Sequence, residues 1–251
     1  MQLGTVPVET HELFVGLGLA VAGGVFAVET HRRGRHDPRL WYLVAGALTG
    51  GAVFARIGTW LQHLRLGDNA GLAQQWLYGN RSILSGLFGA YAGVLVAKRL
   101  CGYTAHSGDL FAPAVAAGMA VGRIGCLLTE LPGTPTGSRW GITLTPEAAA
   151  RFPGARAGVP LHPSFAYEIV FHVLALGALV LLRDRVTRPD ALFTGYLAGY
   201  AIFRFGVEFV RGNQVVADGL TRPQWFLLCC APLLAWRVWR VWKVSGKVEV
   251  R

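Results

Sequence analysis

The chain alternates between long apolar runs and short polar breaks. Apolar stretches at about 12–30, 40–61, 81–97, 109–129, 163–182, 190–210 and 223–238 each approach the ~20 residues that a helix needs to cross a bilayer. The pattern predicts an all-α integral membrane protein, with seven transmembrane helices in a single polytopic membrane domain over residues 1–251. Two connections are long. Residues 63–80 carry Trp76 and Tyr78, which suits a helix at the membrane–water interface. Residues 130–161 are rich in Pro, Gly and Thr and are expected to form an outer-face segment. Within it, Arg139-Trp-Gly-Ile-Thr143 predicts a strand or turn, and Pro146–Phe152 a short helix.

Composition agrees with this reading. Of 251 residues 53% are hydrophobic and only 15% charged, too little charge for the surface of a soluble domain. The formal charge of +10 raises the question of nucleic acid. The basic residues, however, lie in short clusters between apolar runs, as in cytoplasmic loops, so no nucleic-acid partner is expected. Most of the 24 Lys and Arg fall after spans one, three and five (Arg32, Arg33, Arg35, Arg39; Lys98, Arg99; Arg183, Arg185, Arg188) and in the tail from Arg237. The positive-inside rule then puts the N-terminus outside and the C-terminus in the cytoplasm. No basic region precedes the first apolar run, so no cleavable signal peptide is expected. Cys101, Cys126, Cys229 and Cys230 lack metal-ligand spacing and read as small buried apolar residues.

Three arginines stand inside apolar runs. An ionised side chain in hydrocarbon costs at least a few kcal/mol and marks a functional position by default. Arg56, Arg123 and Arg204 each follow the inner end of their span by about fifteen residues, which is roughly 21–24 Å of helical rise. All three are therefore expected at one level, in the outer third of the membrane. Glu168 in span five reaches the same level from the other direction. Glu208 lies one turn beyond Arg204, Glu130 closes span four, and Tyr167 and Tyr200 fall nearby. A surplus of arginine at this depth suits an anionic phospholipid headgroup. Gly86, Gly89 and Gly93, and Gly118, Gly122 and Gly125, form small faces that let helices approach closely. Gly122 and Gly125, which flank Arg123, are also expected to clear space for a headgroup.

Several of these motifs together resemble prolipoprotein diacylglyceryl transferase, a bacterial inner-membrane enzyme with seven spans. Gly122-Arg-Ile-Gly125 with Glu130 and Gly133 is similar to the family signature. Ala55-Arg-Ile-Gly58, His162-Pro-Ser-Phe-Ala-Tyr-Glu168, Gly199-Tyr-Ala-Ile-Phe-Arg-Phe-Gly-Val-Glu-Phe-Val-Arg211 and Gln224 resemble further family motifs, in order along the chain. The resemblance implies multi-pass residence in the bacterial inner membrane and a role in lipoprotein biosynthesis. The implied reaction transfers the diacylglyceryl group of phosphatidylglycerol to the lipobox cysteine of a prolipoprotein, or to another acceptor. It implies catalytic roles for Arg123, Arg204, Glu130, Tyr200 and Glu208, with Tyr200 and Glu208 orienting Arg204. Lipid contacts are implied for Arg56, Gly122, Gly125, Ser82, Ser85, Tyr167, Glu168 and His162, with Arg56 a partner for Glu168. No metal or organic cofactor is implied. The chain departs from the family where a third-span histidine precedes two glycines. Leu84 stands for the histidine, Ser85 for the first glycine, and Cys126 for the asparagine three residues after the signature arginine. These departures carry the alternative expectation of a catalytically altered lipid-binding or lipid-moving membrane protein of the same fold.

Overall fold

The computed structural model describes residues 2–3, 9–62 and 82–243. The described residues are mainly helical and form eight α-helices: α1 (Glu9–Arg32), α2 (Arg39–Gln62), α3 (Ile83–Cys101), α4 (Gly108–Thr129), α5 (Pro146–Ala149), α6 (Ser164–Leu182), α7 (Ala191–Val207) and α8 (Arg222–Lys243). A 3-10 turn, Glu208–Val210, extends α7. Four short strands pair as β1 (Gln2–Leu3) with β2 (Thr143–Leu144), parallel, and β3 (Val215–Ala217) with β4 (Leu220–Thr221), antiparallel. Helices α1, α2, α3, α4 and α6 are long and apolar enough to cross a membrane. Their outward faces keep large apolar side chains exposed, Leu174 and Leu181 of α6 among them, as lipid-facing surfaces do. The interfacial helix expected over 63–80 lies outside the described residues.

The chain forms two compact units, Arg35–Ala105 and a larger one built from Met1–Gly34 with His106–Arg251. In the smaller unit α2 and α3 pack through glycine. A Cβ at Gly93 would collide with the carbonyl of Gly46, and one at Gly50 with the carbonyl of Gly89. Only hydrogen at these positions lets the backbones come so close. Beyond the helix pair, Asp37 accepts the backbone N–H of Arg39 at 2.9 Å, and the Arg39 guanidinium holds its carboxyl below the usual carboxylate range. Gly102 ends α3 in the left-handed conformation, with φ of 64°, which glycine adopts without steric cost.

In the larger unit the same device joins α1 to α4. A Cβ on Gly18 would lie 2.7 Å from the Gly118 carbonyl oxygen, and one on Gly118 would lie 2.8 Å from that of Gly18. Ala112 and Ala116 of α4 pack with Leu179 of α6 and with Leu192 and Tyr196 of α7. At one end Glu29, 1% exposed, is ringed by Arg32 at 3.0 Å and Arg183 at 3.1 Å. His11 stands eighteen residues earlier on α1, about 27 Å up the helix axis. The two ends of this unit are thus both polar, separated by an apolar middle.

The segment after α4 is tied down rather than loose. Thr134 N–H bonds the Val210 carbonyl at 2.9 Å, and His162 N–H bonds Thr134 at 2.8 Å. The Ser164 hydroxyl bonds the Pro132 carbonyl. Gly133 is required in this crossing, since a Cβ there would lie 2.5 Å from the Val210 oxygen and 2.7 Å from that of His162. Further along, Ile142, Leu144, Ala148, Ala149 and Leu161 form a small core of their own. The strand or turn expected at 139–143 is realised as the bridge Ile142–Leu161 and the strand Thr143–Leu144. The expected short helix spans Pro146–Ala149, with the Thr145 hydroxyl capping Ala148 N–H.

Gly18→Leu and Gly93→Leu should each lower stability by roughly 1–3 kcal/mol, the usual cost of overpacking. Gly16→Leu, where a Cβ meets nothing within 4 Å, should change it by less than about 0.5 kcal/mol. Thermal denaturation of the three purified variants in detergent micelles checks both expectations.

Candidate active site

Arg123 projects from the last two turns of α4 and is 3% exposed. Its Nη2 lies 2.5 Å from Glu168 Oε2 of α6, and the same nitrogen donates to the Tyr200 hydroxyl of α7 at 3.2 Å. Tyr200 in turn donates to Glu168 Oε2 at 3.2 Å. One buried triangle therefore fastens α4, α6 and α7 together. Arg211, just past the 3-10 turn, donates to the other Glu168 oxygen at 2.7 Å and reaches Glu130 Oε2 at 3.7 Å. Its guanidinium also lies 4.2 Å over the Phe165 ring. Burial and the neighbouring Arg123 charge hold Arg211 below the ordinary arginine range.

Arg204 pairs with Glu208 one turn on. Glu208 is itself fixed by Thr221 Oγ1 at 2.8 Å and Asn213 Nδ2 at 2.6 Å. Gln224, 1% exposed, accepts from Thr221 N–H at 2.9 Å and donates to the Phe205 carbonyl at 3.2 Å. The sixth-span motif and the glutamine that opens α8 are thereby one hydrogen-bonded assembly. Arg204 also lies within electrostatic reach of both Glu168 and Tyr200.

The expected residues sort as follows. Arg123, Arg204, Glu168, Tyr200, Glu208 and Glu130 gather in the larger unit. The Tyr200 hydroxyl meets Arg123 and Glu168, while Arg204 is held by Glu208. His162 Nδ1 and the Tyr167 hydroxyl share a hydrogen bond of 3.1 Å at the start of α6. A Cβ on Gly122 would meet nothing within 4 Å, which leaves that face of α4 open. On Gly125 it would lie 2.9 Å from Phe14 Cβ and 3.3 Å from His11 Cα, so Gly125 serves helix packing. Arg56, Ser82 and Ser85 belong to the smaller unit. There Ser82 N–H bonds the Ala55 carbonyl at 3.0 Å, and buried Ser85 occupies the space that a Cβ on Gly58 would need. Glu168 takes Arg123, Tyr200 and Arg211 as its partners.

Within the larger unit the buried arginines are matched by carboxylates. Arg123, Arg204 and Arg211 are answered by Glu168, Glu208 and Glu130. Among the described residues of this cluster, Arg123 Nε and His172 Nε2 are buried with no hydrogen-bond partner, and Arg123 Nε is the one carried by a cation. A buried N–H left unpaired costs about 1–3 kcal/mol, and a guanidinium presents its donors in a fixed planar fork suited to phosphate oxygens.

Three residues were given no site role by the sequence, although Arg211 closes the sixth-span motif. Arg211 looks like an ordinary flanking cation until its contacts are seen. His172, one turn below Glu168, is wholly buried; its Nδ1 meets the Tyr196 hydroxyl at 3.0 Å and its ring packs 4.8 Å from that of Tyr200. His11 places Nε2 3.6 Å from Cys126 Sγ and 3.6 Å from Glu130 Oε1.

Known proteins bear on this geometry. The family model for prolipoprotein diacylglyceryl transferase matches residues 1–242. The chain is similar to proteins named phosphatidylglycerol–prolipoprotein diacylglyceryl transferase from several bacteria. It is 32% identical over 216 residues to that of Pseudoalteromonas atlantica, covering 83% of this chain and 73% of the relative. With the Nitrosospira multiformis protein it shares 28% over 274 residues, covering 98% and 88%. With the longer Nocardia farcinica protein it shares 29% over 227 residues, covering 84% of this chain but 46% of the relative.

Truncating one partner of a buried ion pair strands the other charge and typically costs about 3–5 kcal/mol. Arg123→Met should therefore destabilise the protein more than the double variant Arg123→Met with Glu168→Met. Denaturant titration of single and double variants measures the difference.

Proposed function

Since the chain belongs to the prolipoprotein diacylglyceryl transferase family, we propose that it transfers the diacylglyceryl group of phosphatidylglycerol to a thiol acceptor, the lipobox cysteine of a prolipoprotein. The single observation that carries this reading is the unpaired, buried Arg123 Nε beside a fully committed set of ion pairs. A phosphate oxygen is the acceptor such a donor fits.

In this reading the lipid phosphate lies against Arg123, with Gly122 leaving room beside it. The acceptor sulfur attacks the glyceryl carbon next to the phosphate, a carbon–sulfur bond forms, and the carbon–oxygen bond breaks. Glycerol phosphate departs with the electron pair, its charge stabilised by Arg123 and Arg204. Donors aimed at developing charge are worth most when they are held in place beforehand. Glu168 and Tyr200 hold Arg123, and Glu208 holds Arg204. The thiol proton leaves toward the end of α4, where Glu130 is a half-exposed carboxylate. The protein is proposed to lie in a bacterial cytoplasmic membrane with seven spans and its N-terminus outside, α7 and the basic, tryptophan-rich α8 completing the set.

A second reading, lipid binding or lipid movement without transfer, is favoured by Leu84, which cannot carry a proton where the family has a histidine.

Arg123→Lys keeps the charge but loses the planar fork. It should reduce transfer at least about 100-fold, the cost of removing one oriented donor, while the protein stays folded. Purified protein incubated with phosphatidylglycerol and a lipobox peptide, followed by mass spectrometry for the adduct and for released glycerol phosphate, reads the result. Retained lipid with no adduct from the unsubstituted protein decides for the second reading. Undiminished transfer by Arg123→Lys removes the phosphate site from Arg123.

A further inference from the structure

His11, Cys126 and Glu130 converge at the end of α4. Their Nε2, Sγ and carboxylate oxygen all lie within 4.8 Å of one another, with the histidine half-buried, the cysteine buried and the glutamate exposed. We propose that this corner is a divalent metal site of the zinc class, with three protein ligands and an open fourth position.

Distances support it. Zinc binds imidazole nitrogen at ~2.0–2.1 Å, thiolate at ~2.3 Å and carboxylate oxygen at ~2.0–2.2 Å, in tetrahedral geometry. Ligands so placed stand roughly 3.6 Å (N to S) and roughly 3.4 Å (N to O) apart. The separations here are 3.6 Å for His11 Nε2 to Cys126 Sγ and 3.6 Å for His11 Nε2 to Glu130 Oε1. A small closing movement of the half-exposed glutamate completes the set. The same imidazole nitrogen faces both other groups, which is what a shared ion requires. A proton relay would instead use the two ring nitrogens separately.

The surroundings hold the ligands in place. Gly125 brings α1 against α4, its missing Cβ leaving room for the His11 backbone and Phe14. Arg211 Nη2 takes the other Glu130 oxygen at 3.7 Å, which leaves Oε1 toward His11. This longer-range ion pair biases the carboxylate so that its other oxygen faces the histidine. Two arginines stand near, and their charges are matched. Arg123, 3.8 Å from Cys126 Sγ, is paired with Glu168, and Arg211 is shared between Glu168 and Glu130. Metal binding converts the Cys126 thiol to thiolate and releases its proton to solvent, which adds one anionic charge beside the ion. An ion here occupies the Glu130 oxygen that would accept the thiol proton in the proposed transfer, so the two roles of Glu130 exclude each other, and metal binding is measured without substrate.

The test uses tag-free full-length protein in detergent, dialysed against zinc in the presence of a weak chelator, with bound metal measured by atomic emission. Stoichiometric zinc is expected in the unsubstituted protein and in Cys229→Ser. It should be lost in Cys126→Ser, which is nearly isosteric, and in His11→Gln, at a half-exposed position that folding tolerates. Replacing zinc by cobalt should give the intense visible bands of a tetrahedral site and a thiolate-to-cobalt charge-transfer band. Absence of stoichiometric zinc, zinc unaffected by Cys126→Ser, or a cobalt spectrum without the thiolate band would each overturn the proposal.

Discussion

The ion pair between Arg123 and Glu168 is the contact on which the rest of the larger unit depends. Neither charge is stable alone in an apolar interior, so α4 and α6 must stay in the register that keeps them 2.5 Å apart. Tyr200 brings α7 into the same register, and Arg211 draws the turn after α7 back over the pair. The glycine contacts set how closely helices can approach, and the buried charges set how far they can slide. Together they place a guanidinium deep in an apolar bundle with one donor unspent.

The arginine is oriented by groups that are themselves held. Glu208 fixes Arg204 while Thr221 and Asn213 fix Glu208, and Gln224 then ties that cluster to α8. In the same way Gly133 and Ser164 clamp the segment after α4 onto the start of α6 and the end of α7. The family-like motifs of the larger unit are therefore one connected support around Arg123. Chemical stabilisation of a leaving phosphate needs that kind of prior organisation.

How much was legible in the sequence follows from the kind of signal each residue gives. Arg123 and Arg204 stood out because a charge inside an apolar run is costly, and Glu168 and Glu208 stood out for the same reason. The helices followed from length and apolarity. Charge balance did not. Arg211 and Glu130 sit at helix ends, where sequence does not tell a solvated side chain from one folded back into the bundle, so their part in the charge pairing of the larger unit could not be read from it. The glycines of α4 were visible as a small face, but their partner Gly18 on α1 was not, because a packing partner far away in sequence leaves no periodic trace. His11 was missed for that reason too. Metal-ligand spacing is a local pattern, and the approach of His11 to Cys126 is created by the α1–α4 packing.

The central claim is that the Arg123 guanidinium holds a lipid phosphate. Solid-state NMR on protein with arginine Nε labelled with nitrogen-15, reconstituted in phosphatidylglycerol, reads it through nitrogen–phosphorus dipolar dephasing. The account predicts a dephased Nε signal that disappears in Arg123→Lys. A spectrum with no dephasing, or with dephasing unchanged in that variant, would contradict it.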